Sequence, residues 1–175
     1  KLLVRLGCEK VKIPSFEVAN IELLDYCNAN FKETIVSTGT ATIEEIKLAT
    51  SRFNKSDLVL MHCVSSYPCN FEIANLPRIN DIKAIYKVTG YSDHCFGVTA
   101  SIASLPYEPR YIEKHFTIDN ELPGRDNKFA ILPEDLTKLT DAIKIFKSVN
   151  IYHGSDYQES ENESREIYRG RFNNV

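Results

Sequence analysis

The sequence predicts an α/β fold of repeated βα units on a parallel sheet. Three observations carry this: five short apolar runs of strand length, a helical pattern after each, and reactive side chains gathered where the runs end. The runs lie at residues 11–15, 34–38, 58–63, 84–92 and 110–117. Such a sheet is either open and doubly wound or closed into a barrel, and five strands cannot close an eight-stranded one.

The elements follow in chain order. The opening KLLVRLGCEKV reads as the end of a helix running straight into the first strand, and a shorter helix is expected at 21–28. After the second strand, residues 42–54 have helical spacing, and Thr42 with Glu45 forms a capping-box pattern. Residues 79–86 are a short helical candidate that overlaps the start of the fourth apolar run. The small, apolar stretch 97–105 suits a helix packed closely on a sheet, and 133–150 is the clearest helix, with Pro133 in its first turn. Residues 1–150 are therefore expected to form the βα unit, and the polar stretch 151–175, rich in Glu, Ser and Asn, a linker or peripheral arm.

At 175 residues, 43% hydrophobic and 26% charged, the chain can bury a real core. A net charge of −3 with no basic cluster argues against nucleic acid as a partner, and no apolar run approaches the ~20 residues that span a bilayer. Five cysteines without a C-x-x-C pair read as reduced thiols of a cytoplasmic protein rather than a disulfide frame or a zinc site. A start at Lys1 and an opening in mid-helix suggest a piece of a longer protein.

The reactive residues fall at one end of the predicted strands. Lys12, Ser15 and Glu17 lie along or just past the first, Ser37-Thr38-Gly39 ends the second, and Ser65-Ser66-Tyr67 follows the third. Ser92-Asp93-His94 ends the fourth and Glu113-Lys114-His115 the fifth. In parallel α/β folds the strand C-termini open on one face, where active sites are built. Ser15, Ser37 and Ser92 offer hydroxyls, and Lys12 a charge, for a phosphorylated or carboxylated small molecule. His94 and His115 can share a divalent ion; imidazole suits zinc, iron, nickel or manganese better than magnesium. Each residue also has a plainer reading. The histidines would be hydrogen-bonded structural residues, Ser37-Thr38-Gly39 a turn, Asp126 beside Gly124 a turn residue, and Glu17 and Tyr67 loop surface. His62, inside an apolar run, reads as structural, and His153, in the polar tail, as exposed.

Six strings occur in order: KIPSFEVANIELL, IVSTGTATIEEI, LMHCVSSYP, GYSDHCFGVTASIA, YIEKHFTID and LPGRDNKFAILPEDL. Across residues 11–150 they resemble the sialic acid synthase family of N-acetylneuraminate, legionaminate and pseudaminate synthases. The resemblance implies a (β/α)₈ TIM-type barrel, of which about five C-terminal βα units are present. It implies condensation of phosphoenolpyruvate with an N-acetylmannosamine-like amino sugar or its phosphate, with release of phosphate. By that resemblance Lys12, Ser15, Ser37 and Ser92 hold phosphoenolpyruvate, and Glu17, Tyr67 and Asp126 hold the sugar. His94 and His115 ligate the catalytic metal, Mn²⁺ or Mg²⁺, and a cytoplasmic homodimer of the intact protein is expected. The family's first three βα units, with an essential glutamate, and a following antifreeze-like domain have no counterpart among the six strings. Residues 104–109 and the Arg125 and Asn127 that flank Asp126 depart from the family pattern. Two other readings of these residues remain: a Schiff-base aldolase using Lys12 or Lys114, and a non-catalytic barrel remnant that serves as a binding module.

Overall fold

A computed structural model describes residues 1–170 and divides the chain into two units, Lys1–Ile143 and Lys144–Val175. The first holds a parallel sheet of β1 (Lys10–Ile13), β2 (Glu33–Ser37), β3 (Asp57–His62), β4 (Thr89–Asp93) and β5 (Ile112–Lys114), in that spatial order. The helices are α1 (Leu2–Arg5), α2 (Ile21–Asn30), α3 (Ile43–Thr50), α4 (Arg78–Ile85), α5 (Thr99–Ala103) and α6 (Pro133–Val149), which runs on past the first unit. In the second unit, α7 (Asn162–Tyr168) places Arg165 4.2 Å over the Tyr157 ring.

Strand alternation sorts the side chains into two layers. Ile13, Val36, Leu58 and Leu60 face outward and join Leu24, Cys27 and Phe31 around α2, Ile46 and Ala49 of α3, and Ile82 of α4 in one core. Fully burying a side chain such as Ile46 contributes about 1.5–3 kcal/mol. The helices begin where local chemistry dictates. The Asn20 side chain accepts from the Leu23 N–H, and Thr42 with Glu45 closes the expected capping box at α3.

The opposite face is concave and polar. At its floor Glu33, nearly buried, receives Lys10 at 3.1 Å, Arg110 at 2.9 Å and the Tyr111 hydroxyl at 2.9 Å. Burial works against this charge, but Lys10, Tyr111 and Arg110 outweigh it and hold the carboxyl below its ordinary value. Two residues further along the strands, Lys12 reaches Glu113 at 3.0 Å. These contacts join the two outer strands across the hollow, so the sheet is curled into a half-barrel.

Several boundaries need correction. The fourth strand begins at Thr89, not at residue 84; Ala84 and Ile85 end α4, where an apolar run continuing through Tyr86 and Val88 blurs helix into strand. The helix expected over 97–105 is regular only at Thr99–Ala103 before a 3₁₀ turn at Leu105–Tyr107, because Pro106 lacks the N–H to continue it. The fifth strand is regular only over Ile112–Lys114, with one further bridge from Phe116 to Ile131. The polar stretch 151–175, expected to be a linker or peripheral arm, contains α7, and its residues 171–175 lie outside the described ones. No helix among the described residues is long and apolar enough to cross a membrane.

Candidate active site

The strands' C-terminal ends bring most of the sequence-selected residues to the concave rim. Ser15, buried just after β1, accepts from the Gly39 N–H at 3.0 Å, and its Oγ lies 3.0 Å from Cys63 Sγ. Gly39 is glycine by necessity. A Cβ there would stand 2.3 Å from Ser65 Oγ, 2.7 Å from Cys63 Sγ and 2.9 Å from Ser15 Oγ. Ser37, at the end of β2, keeps a buried hydroxyl without a hydrogen-bond partner, and Ser65, beside the Tyr67 phenol, makes no hydrogen bond of good geometry. Unpaired buried hydroxyls are rare and costly, about 1–3 kcal/mol each. Thr89 at the start of β4 also has one, but those of Ser37 and Ser65 lie at the rim, where a hydrogen-bonding ligand could satisfy them.

On the other side of the rim, Ser92 donates to Glu113 Oε2 at 2.6 Å, and Lys12 pairs with the same oxygen at 3.0 Å. Burial opposes the Glu113 charge, yet the Ser92 hydroxyl and the Lys12 ammonium hold its carboxyl below the ordinary value. His94 directs Nδ1 to the Val64 carbonyl at 2.7 Å, which leaves Nε2 to face the hollow, 3.5 Å from Ser92 Oγ. Burial pushes the His94 pKa down and keeps the ring neutral and able to ligate. The His94 and His115 rings lie 5.5 Å apart, with Tyr67 4.2 Å over His94 and Phe129 5.1 Å from His115. Asp126 Oδ2 lies 3.6 Å from His115 Nδ1.

Two cavities share Tyr67 and His115. One of about 260 Å³ is also lined by Lys12, His94, Glu113 and Lys114; the other, about 430 Å³, by Phe16, Ser65, Arg125 and Asp126. Glu17 lines neither, and its carboxylate instead accepts from the Asn20 side chain at 2.7 Å. His62 is buried and structural as read from the sequence, with Nε2 bonded to the Ala74 carbonyl at 2.8 Å. Lys114 is ion-paired with Asp93 at 3.3 Å and bonded to the Cys95 carbonyl, and Lys12 is paired with Glu113. Both ammonium groups are thus tied to carboxylate or carbonyl partners, whereas a Schiff-base nucleophile needs a free amine.

Gly39, Ser65 and Glu113, which the sequence places at the strand ends without a role of their own, also belong to this site. Strand alternation points to Glu113, since Glu113 on β5 and His115 just beyond it are two apart and share the inner face. Among the described residues no group of three or more His, Cys, Asp or Glu could hold a metal. His94 and His115 suit a divalent ion as two imidazole donors on one face, with the remaining positions open to water or substrate.

The chain resembles known proteins over most of its length. N,N'-diacetyllegionaminic acid synthase of Legionella pneumophila is 33% identical over 84% of this chain and 44% of its own. Pseudaminic acid synthase of Helicobacter pylori is 34% identical over 82% of this chain and 44% of its own, so the chain spans less than half of these curated relatives. The crystal structure of N-acetylneuraminic acid synthetase from Leptospira borgpetersenii superposes with a TM-score of 0.86 at 36% identity, covering 99% of this chain and 62% of that one. A DAHP synthase from Thermotoga maritima, at 14% identity and a TM-score of 0.71, shares the fold alone. The NeuB family profile matches residues 1–153, and the chain belongs to the NeuB family.

Proposed function

We propose that the intact protein carrying this chain condenses phosphoenolpyruvate with an N-acetylmannosamine-like amino sugar, or its phosphate, to make a sialic-acid-type nonulosonic acid. The observation that carries the reading is the pairing, on one concave rim, of partnerless buried hydroxyls with two imidazoles 5.5 Å apart. NeuB family membership supports it.

In this reading Lys12, Ser15, Ser37 and Ser92, with Ser65 beside them, hold the phosphate and carboxylate of phosphoenolpyruvate. Tyr67 walls the acceptor cavity over His94, and Asp126 accepts hydrogen bonds from sugar hydroxyls. Glu17 can join the sugar contacts only by releasing Asn20. A divalent ion at His94 and His115, Mn²⁺ or Mg²⁺, supplies Lewis-acid polarisation of the acceptor aldehyde. The chain's own work is to hold both substrates at reacting distance and to screen developing charge. The enol carbon forms a bond to the aldehyde carbon, whose oxygen takes a proton. Water adds at the phosphate-bearing carbon, and its C–O bond breaks with release of inorganic phosphate. The protein acts as a cytoplasmic homodimer.

The test uses the intact protein. Phosphate should appear only when phosphoenolpyruvate, the amino sugar and a divalent metal are all present; release without metal refutes the mechanism. His94→Ala and His115→Ala should each lose calorimetric Mn²⁺ binding together with turnover. Unaltered metal affinity in both variants would overturn the ligand assignment.

A further inference from the structure

We propose that Glu113 is a positioning residue that stands in for the substrate anion: its carboxylate holds Lys12 and Ser92 in register while the site is empty and gives them up when phosphoenolpyruvate binds. The inference rests on the reading of this rim as an anion site. It starts from a conflict in donor accounting. Ser92 has one O–H, and that hydrogen is committed to Glu113 Oε2 at 2.6 Å. It cannot serve a phosphate or carboxylate oxygen until Glu113 releases it. The Lys12 ammonium, 3.0 Å from the same oxygen, is likewise matched to a carboxylate. A negative group lying against the two donors competes with an incoming anion, which a site built for affinity alone would avoid.

What the carboxylate gives in return is order. Lys12 sits on β1 and Glu113 on β5, at opposite edges of the sheet, so the pair spans the hollow. The lysine stem is long and rich in rotamers, and without a fixed partner its ammonium would wander through solvent. Ser92 has a second suitor in His94 Nε2 at 3.5 Å; Glu113 fixes its hydrogen away from that ring. Donors already aligned on a carboxylate need little rearrangement to meet a substrate oxygen.

Glu113→Gln in the intact protein separates these effects, because the amide keeps the shape and loses the charge. With metal present and acceptor absent, the Kd for phosphoenolpyruvate should fall by about tenfold, as expected when a like charge leaves a partly wet anion site. Turnover should fall by a similar factor, and inorganic phosphate should inhibit more strongly. Structural damage would instead weaken binding. Coupling is read with Lys12→Met: in that background the gain in affinity from Glu113→Gln should shrink to less than about half its size. A Kd that is unchanged or higher in folded Glu113→Gln, or an undiminished gain beside Lys12→Met, overturns the proposal. Glu113→Ala serves the same titration if the amide variant does not fold, and failure of both to fold assigns Glu113 to the fold and also overturns it. If the unaltered protein binds neither phosphoenolpyruvate nor inorganic phosphate, the anion-site reading itself falls.

Discussion

Gly39→Ala asks whether the rim is an anion cradle, because it places one methyl group against Ser15 and Ser65, two of the hydroxyls that would form it, and against the neighbouring Cys63. The new Cβ would meet Ser65 Oγ at 2.3 Å, Cys63 Sγ at 2.7 Å and Ser15 Oγ at 2.9 Å. To regain ordinary contact the Ser65 oxygen must retreat by roughly 1 Å, and the other two by roughly half that or more. All three are ends of short side chains, so the fold can yield where the cradle cannot. Overpacking costs about 1–3 kcal/mol, partly offset by about 0.4–1 kcal/mol from the stiffer unfolded chain. A hydrogen bond to a charged ligand is worth about 1.5–3 kcal/mol, and misplacing two hydroxyls removes about 3 kcal/mol of anion binding. That corresponds to a rise of about two powers of ten in the Kd for phosphoenolpyruvate. Calorimetric titration of the intact variant measures it, with thermal unfolding as the control for a Tm drop of a few degrees. Binding as tight as in the unaltered protein would refute the cradle.

Thr42→Ala removes the capping box of α3 and should cost about 1 kcal/mol in chemical unfolding, with phosphoenolpyruvate affinity unchanged. Glu33→Gln should cost about 2–3 kcal/mol at neutral pH, less than for a fully enclosed ion pair because Lys10 and Arg110 remain half in water. The Glu33 carboxyl is held below its unfolded value of 4.5, so its contribution is complete above that pH and is lost as pH falls through the lower folded value. Denaturation midpoints measured from pH 7 downward should therefore decline less steeply in the variant; parallel profiles would show that Glu33 does not carry the charge-linked stability.

The sequence reveals those features that are local. Thr42 and Glu45 are three residues apart, so their box is visible in one helical turn. The reactive ends of the strands are visible because parallel βα units send every strand C-terminus to the same face. His94 and His115 were selected on that ground, and their rings lie 5.5 Å apart. The boundary at residue 84 is not local, because Ala84-Ile85-Tyr86 satisfies a helix and a strand equally, and only packing against β3 and β4 decides. Glu17 was selected by its place after a strand, yet an asparagine three residues on captures its carboxylate. Gly39 and Ser65 are visible at the strand ends, but their roles are not, because these depend on a few ångströms between separate loops.

The floor of the half-barrel has a consequence beyond stability. Lys10 lies two residues before Lys12 on β1, and Tyr111 two residues before Glu113, with Lys10 donating to the Tyr111 hydroxyl at 2.9 Å. Two strand residues are about 6.6 Å. The floor and the Lys12–Glu113 pair are thus successive rungs between the same two outer strands, like the pivot and the jaws of a calliper. Any change that lets the lower rung lengthen widens the gap across which the upper one must reach. Substitutions at Glu33 or Tyr111, with no atom near a substrate, would then register in turnover as well as in melting temperature.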